Sequence, residues 1–260
     1  MILKNLIKII IIGATGKMGQ EVIKMVFNTE DFELVAVIDT EENLSKLAET
    51  VPGIYASNDI VKAIKITQPD VAVDFTHPDV VLKNALTILK EKVSVVIGTT
   101  GIKQDELAQI KATAEEAKVG AFIAPNFALG AVLMIELSKQ IAKHFSNVEI
   151  IEMHNPLKAD SPSGTALKTV EAITSSFKSE PKIFDRSIAR GHIINNIPVH
   201  SIRLPGVVAH QQVIFGSQGQ TLTIKHDSYD RTSFMPGVAL AIRKIFKHKG
   251  LIYGLENILK

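Results

Sequence analysis

Lys8-Ile-Ile-Ile-Ile-Gly13-Ala-Thr-Gly16-Lys-Met-Gly19 is the stretch that decides the fold. A β-branched run ends in spaced glycines, and apolar residues then recur at helical intervals through Val22, Ile23, Val26 and Phe27. The pattern predicts strand, glycine turn and helix. Phe32 to Ile38 gives a second apolar strand ending on Asp39, which completes the layout of a dinucleotide-binding βαβ unit. The spacing is GxxGxxG rather than the stricter GxGxxG, so the surrounding elements carry as much of the argument as the glycines. Gly13, Ala14, Thr15, Gly16, Lys17 and Met18 would bring backbone N–H groups and one cation to a pyrophosphate at the helix start. Asp39 would accept hydrogen bonds from ribose hydroxyls and repel a 2′-phosphate. The following Thr40-Glu-Glu has no Arg to reverse this, so NADH is expected over NADPH, with NADPH still usable. The bland alternatives are a glycine turn without a ligand and an Asp that merely caps a helix.

Three further apolar strands are expected at Val71 to Phe75, Val93 to Ile97 and Ala121 to Ala124, separated by helical stretches around Val80–Leu89 and Leu107–Ala117. Such alternation predicts a Rossmann-like, doubly wound parallel sheet. Ligands collect at the carboxyl ends of its strands, so Asp74-Phe-Thr-His77, Gly98-Thr99-Thr100-Gly101 and Ala124-Pro125-Asn126-Phe127 should line the nicotinamide side. The helix from Leu129 to Phe145 then leads into a differently built region. Beta-rich runs at Val148–Ile151, His200–Leu204, Gln212–Phe215 and Thr221–His226 surround an irregular Pro181 to Pro198 segment, which predicts a second α+β domain with an open, mostly antiparallel sheet. A last helix, Val238 to Phe246, ends at Gly250 before a tail that should return to the first domain. The expected division is 1–126 with 235–260 for the dinucleotide and 127–234 for substrate and oligomerisation. The crossings near Asn126 and Phe234 would then act as a hinge.

The second region carries Glu152-Met-His154-Asn-Pro-Leu-Lys158-Ala-Asp-Ser-Pro-Ser163-Gly164-Thr165, two titratable side chains directly ahead of a helix start. Pro156 and Pro162 argue against continuous helix between them, so His154 and Lys158 are expected on a loop. Ala166, Leu167, Val170, Ile173 and Phe177 continue as an amphipathic helix with no acid before Glu171. Its free N–H groups, with the Ser163 and Thr165 hydroxyls, could take a ligand carboxylate, and Gly164 would allow close approach. An ordinary Ser N-cap beside a surface His and Lys would look the same. Arg190 and Arg231 are surface residues or further cations for a dianion.

Composition bounds the rest. The chain has 260 residues, 46% hydrophobic and 22% charged, with a formal charge of +2 spread along it, which points away from nucleic acid and anionic membranes. With no Cys there is no disulfide scaffold, thiolate metal site or thiol nucleophile, and no metal is expected. No apolar run approaches the roughly 18 residues of a membrane span. The run at Ile9–Ile12 stops at Gly13 instead of extending into a signal sequence, so a cytoplasmic protein is expected.

Taken together, the glycine motif, Asp74-Phe-Thr, Gly98-Thr-Thr-Gly101, Asn126-Phe127, Glu152-Met-His154 with Lys158, Pro162-Ser-Gly-Thr165, His226-Asp-Ser-Tyr-Asp-Arg231 and Phe234-Met-Pro-Gly237 resemble the dihydrodipicolinate reductase family over nearly the whole chain. The resemblance implies hydride transfer from NADH or NADPH to a cyclic dicarboxylate, 4-hydroxy-tetrahydrodipicolinate, in lysine and diaminopimelate biosynthesis. It also implies a homotetramer formed through the open sheets. His154 and Lys158 fall on the family's acid/base positions, and Gly164 and Thr165 on its substrate-carboxylate site. Gly13 to Met18, Asp39, Gly98 to Thr100 and Ala124 to Phe127 fall on its cofactor contacts. Two positions depart from the pattern. Asn155 stands where a second His is usual and can donate a hydrogen bond to substrate but carry no proton, and Lys17 stands where Arg is usual. In the chemistry expected, His154 quenches the density built by hydride addition, Lys158 assists, and Arg231 helps with the second carboxylate. The rivals are another nicotinamide-dependent dehydrogenase on the same plan and a non-catalytic NAD(H) sensor.

Overall fold

Unbroken runs of Val and Ile need cover on both faces, and a parallel sheet between helices provides it. The computed structural model describes residues 6–178 and 185–259. The first stretch folds as β1 (Ile7–Ile12), α1 (Lys17–Phe27), β2 (Phe32–Ile38), α2 (Leu44–Thr50), β3 (Tyr55–Ser57), α3 (Ile60–Thr67), β4 (Val71–Asp74), α4 (Pro78–Lys90), β5 (Ser94–Ile97), α5 (Gln104–Ala117) and β6 (Gly120–Ile123). Then come α6 (Leu129–Ile141), β7 (Asn147–His154), α7 (Gly164–Thr174), β8 (His192–Ile194), β9 (Ile197–Arg203), β10 (Ala209–Ser217) and β11 (Gln220–Ser228), and finally α8 (Met235–Ile245) and β12 (Gly250–Tyr253). The chain separates into two units, Ala128–Ser233 and the residues on either side of it.

In the first unit seven parallel strands run in the order β12-β6-β5-β4-β1-β2-β3. Strand order reverses at β1, so β1 and β4 flank the switch point where a ligand crevice opens. Apolar residues of α3, α4 and α5 join those of the strands in one core, while α1 and α8 pack together and α8 also meets β5 and β6. Between Asp39 and Val71 the sequence reading passed over α2, β3 and α3. One signal was there: Asp59 caps α3, its side chain accepting from Lys62 N at 2.9 Å. The tail after Gly250 is β12, which extends the sheet beside β6.

The second unit holds a five-stranded mixed sheet in the order β11-β10-β7-β9-β8, parallel only between β7 and β9. Alternation sends Val148 and Ile150 of β7, Val199 of β9 and Val213 and Phe215 of β10 to one face. There they pack against Met134 of α6 and Ala166, Val170 and Ile173 of α7. Of the segment expected to be irregular, 192–194 and 197–198 are strand, and Pro181 lies outside the described residues.

The turn after β1 depends on two glycines. Gly13 has φ +79°, and a Cβ at Gly19 would lie 2.2 Å from the carbonyl oxygen of Gly13. Because the atom it would meet is backbone, α1 would have to move away from β1. Gly19→Ala is therefore expected to destabilise the chain by about 1–3 kcal/mol, seen by calorimetry as a thermal midpoint roughly 5 °C lower. An unchanged midpoint would contradict this close approach.

Candidate active site

The start of α1 is arranged to leave backbone donors available. Its N-cap is Gly16, no side chain caps it, and its first turn contains no acid. The positive end of the helix dipole is thus left without a carboxylate in that turn. Gly16 N donates to the Gly13 carbonyl at 3.1 Å and Gln20 Nε2 to the Ala14 carbonyl at 2.7 Å, holding the turn closed, while Lys17 is exposed. Asp39, just beyond β2, ties the turn to the neighbouring strand. Its Oδ2 accepts from Thr15 N and Thr15 Oγ1, both at 2.8 Å, and its Oδ1 from Thr40 N and Asn43 Nδ2, both at 2.8 Å. Burial pushes the Asp39 carboxyl up, and the bonds from Thr15, Asn43 and Thr40 outweigh it and hold it below the ordinary value. Its acceptor positions, read from sequence as open to a ribose, are already filled by the chain.

At the next strand end Asp74 is fully buried. It accepts from Thr76 N at 3.0 Å, Thr76 Oγ1 at 2.7 Å, Thr99 Oγ1 at 3.1 Å and Asn84 Nδ2 at 3.0 Å. Thr99 Oγ1 also accepts from Thr76 N at 2.9 Å, so the loops after β4 and β5, with Gly98 and the exposed Thr100, are locked to each other. Ala124 and Phe127 are buried, and the Phe127 ring lies 5.8 Å from both Phe75 and Phe122. That ring belongs to the core, and Ala124 N donates to the Ile97 carbonyl at 3.3 Å, tying this segment to the end of β5. A close-packed glycine turn, an uncapped helix start and rigid strand-end loops fit the phosphates and ring of a dinucleotide.

In the second unit His154 is the last residue of β7, not part of a loop as expected. The strand continues through Glu152-Met-His154, past the β-branched residues, because β10 and β9 pair with it to the end. Alternation puts Glu152 and His154 on one face. Glu152 is fully buried, and its Oε2 lies 2.5 Å from His154 Nδ1. Arg203 grips the same carboxylate with both terminal nitrogens, at 3.0 and 2.8 Å, and Ser163 N adds a donor at 3.3 Å. Burial pushes Glu152 up, but Arg203, Ser201 and His154 together bring it below its ordinary value. For His154 burial disfavours the imidazolium. Glu152 opposes this and Lys158 and Arg203 add to it, leaving His154 below 6.5.

Two expectations about the loop need correction. The start of α7 is not left free, because Asp160 Oδ2 accepts from Gly164 N at 3.3 Å while its Oδ1 pairs with Lys158 Nζ at 2.7 Å. Ser163 serves as N-cap, its Oγ accepting from Ala166 N at 3.2 Å, and the carbonyl of Thr165 accepts from Thr169 Oγ1 at 2.8 Å. The Oδ1 of Asn155 accepts from Leu157 N at 3.0 Å, shaping the turn towards Lys158 and leaving only its amide N–H groups for a ligand. The structure thus gathers His154, Lys158, Ser163 and Gly164 around Glu152, Arg203 and Asp160. It does not bring the cations expected for a second carboxylate into that cluster. Arg190 pairs with Glu149, which also holds His200 Nε2 at 2.9 Å, and Arg231 is exposed and in no ion pair among the described residues. Among those residues no group of three or more His, Cys, Asp or Glu could hold a metal, and no helix is long and apolar enough to cross a membrane.

A dinucleotide-type turn on a doubly wound sheet, followed in the chain by a domain with a carboxylate-paired imidazole, is the plan of a two-domain nicotinamide-dependent oxidoreductase. Comparison with known proteins narrows the class. Residues 7–127 match the family model described as dihydrodipicolinate reductase, N-terminus, and residues 130–259 its C-terminus counterpart. The 4-hydroxy-tetrahydrodipicolinate reductase of Listeria innocua is 48% identical over 261 residues, covering 97% of this chain and 99% of its own. That of Syntrophomonas wolfei is 44% identical over 266 residues, covering 99% and 100%. The dipicolinate-bound dihydrodipicolinate reductase from Paenisporosarcina sp. TG-14 superposes with a TM-score of 0.88 at 42% identity, covering 97% of this chain and 99% of its own. This chain belongs to the dihydrodipicolinate reductase family.

Removing Arg203 would strand a buried carboxylate. Arg203→Met is expected to lower stability to urea by about 3–5 kcal/mol at pH 7. The loss should shrink towards acid pH, because a Glu152 freed from its cation protonates more readily and the buried charge disappears. A penalty that stays constant with pH would contradict the role given to the ion pair.

Proposed function

We infer that the chain reduces 4-hydroxy-tetrahydrodipicolinate, the compound its relatives are named for, with His154 as proton donor. It is an NAD(P)H-dependent reductase of diaminopimelate and lysine biosynthesis. The observation that carries the residue assignment is the pairing of buried Glu152 with half-buried His154, set beside Lys158 and ahead of the α7 start. When bound, the dinucleotide supplies the hydride. The backbone of Gly13 to Met18 and Lys17 would hold its pyrophosphate, Gly98 to Thr100 and Ala124 to Phe127 its nicotinamide end. Asp39 would meet the ribose hydroxyls by giving up a present donor such as Thr15 Oγ1 or Asn43. Its negative charge favours NADH over NADPH.

The substrate's carboxylate would replace that of Asp160 on Gly164 N and Lys158, with Thr165 and the Asn155 amide close by in sequence and Arg231 the candidate for the second carboxylate. Asp160 is then a resident acid that keeps this donor set assembled until a stronger anion takes it. Loss of the 4-hydroxyl with a neighbouring hydrogen as water gives a conjugated C=N/C=C system; hydride addition to it builds electron density, and His154 delivers the proton that quenches it, assisted by Lys158. The protein is proposed to be cytoplasmic and to assemble as a homotetramer. The sheet face turned away from α6 and α7 carries Ile151, Met153, Ile202 and Ile214 among the polar Glu149, His200, His210 and Gln212, a mixed surface that could bury against another copy.

A general acid must be protonated, so kcat/KM is expected to fall as pH rises through the lowered value of His154, on the acid side of 6.5. His154→Ala should lose about 10²–10⁴-fold in kcat, measured by NADH absorbance, with NADH binding intact. Wild-type turnover in that variant would remove the acid from the scheme. Asp39→Ala should narrow the kcat/KM preference for NADH over NADPH; an unchanged ratio would sink the selectivity argument.

A further inference from the structure

We propose that Glu152 and Arg203 are positioning residues for the proton transfer: Arg203 keeps Glu152 ionised, and Glu152 fixes the tautomer and ring orientation of His154. The inference rests on the reading of His154 as the acid and extends it to the residues that make an imidazole usable in that role.

Apart from the imidazole, the groups on the Glu152 carboxylate are Arg203, the backbone N–H of Ser163 and the Ser201 hydroxyl. Oε1 accepts from Arg203 at 2.8 Å and from Ser163 N at 3.3 Å, and Oε2 accepts from Arg203 at 3.0 Å and faces His154 Nδ1 at 2.5 Å. The guanidinium of Arg203 holds both carboxylate oxygens and brings Glu152 below its ordinary value, so the carboxylate is ionised. An ionised carboxylate can only accept, hence His154 Nδ1 must carry a proton in both charge states of the ring. Nε2 is left as the nitrogen that gains and loses the proton delivered to substrate. Without the carboxylate the neutral ring would divide between two tautomers, and in one of them the nitrogen that takes up the proton would be Nδ1 instead of Nε2.

The sheet register explains how a residue so distant in sequence reaches the site. His154 pairs with Arg203 and Glu152 with Ser201 across the parallel β7–β9 ladder, so Arg203 starts opposite the imidazole and reaches along the strand to the carboxylate. The guanidinium also donates to the backbone carbonyl of Asp160 at 2.8 Å, which anchors the loop that carries Lys158. One ion pair therefore fixes the imidazole, the lysine loop and, through Ser163 N, the N-cap of α7. The charged groups facing the imidazole are Glu152 from its own strand, Arg203 from β9 and Lys158 from the loop. On β10 the pairing partner is Ala209, and alternation turns His210 to the other face.

The test is ¹⁵N NMR of the histidine ring nitrogens in the unmutated chain, joined to the kinetics of Glu152→Gln. The expected spectrum shows His154 Nδ1 protonated on both sides of its titration, with Nε2 alone titrating. A mixed tautomer, or an unprotonated Nδ1, overturns the inference whether or not any variant folds. Glu152→Gln should lose about 10²-fold in kcat with a much smaller change in KM. The fall in activity on raising the pH should begin at lower pH, since the carboxylate that favours the imidazolium is gone. Arg203→Lys, which keeps the cation and loses the two-pronged grip, should fall between wild type and Glu152→Gln. A Glu152→Gln enzyme with wild-type kcat and pH profile means the pair is only structural. If His154→Ala keeps its turnover, the acid assignment itself has failed; if His154→Ala is inactive while Glu152→Gln is normal, only the present inference falls.

Discussion

A carboxylate taken out of water must have its acceptor positions filled from within the chain, and that constraint organises both units. Asp74 and Glu152 are each fully buried, at or near the carboxyl end of a central strand, and each gathers the loops around it. Their surroundings send them in opposite directions. Asp74 has neutral donors only, from Thr76, Asn84 and Thr99, and burial raises its pKa despite them. Burial pushes Glu152 up too, but a guanidinium answers it with two charge-assisted bonds, and its pKa falls. One acid therefore serves as a knot for loops, and the other keeps a full charge against an imidazole.

Asp39 repeats the theme at a lower level of burial. Its bonds to Thr15, Thr40 and Asn43 join the glycine turn to the end of β2, so the turn that approaches phosphate is held from outside by an acid and from inside by the contact of Gly19 with Gly13. Rigid anchoring of this kind suits a site whose donors must already be placed when an anion arrives. The lysine loop follows the same logic: Asp160 occupies Lys158 and the α7 start, so neither is an isolated charge.

Much of this was legible in the sequence. Period-two and unbroken apolar runs marked the main strands, and the glycine spacing with Asp39 marked the dinucleotide unit. His154, Lys158, Ser163 and Gly164 lie within one short stretch, so proximity in sequence stood in for proximity in space. What stayed hidden depended on pairing. Arg203 is 51 residues from Glu152, and only the β7–β9 register brings them together. His154 looked like a loop residue because Pro156 follows it, whereas two neighbouring strands extend β7 as far as His154 itself. Asn155 stood out as a departure from the family pattern, and its hydrogen bond to Leu157 N gives it a local task in shaping the turn. Asp160 was overlooked because helix capping from outside the first turn leaves no fixed spacing to look for.

The most direct measurement is nicotinamide absorbance when the chain is given the cyclic compound formed in situ from pyruvate and aspartate semialdehyde. Saturable oxidation of the dinucleotide that depends on that compound is the result predicted. No oxidation, with dinucleotide binding intact and the cyclic compound confirmed present, would contradict the account and leave a dinucleotide-binding fold without the reaction.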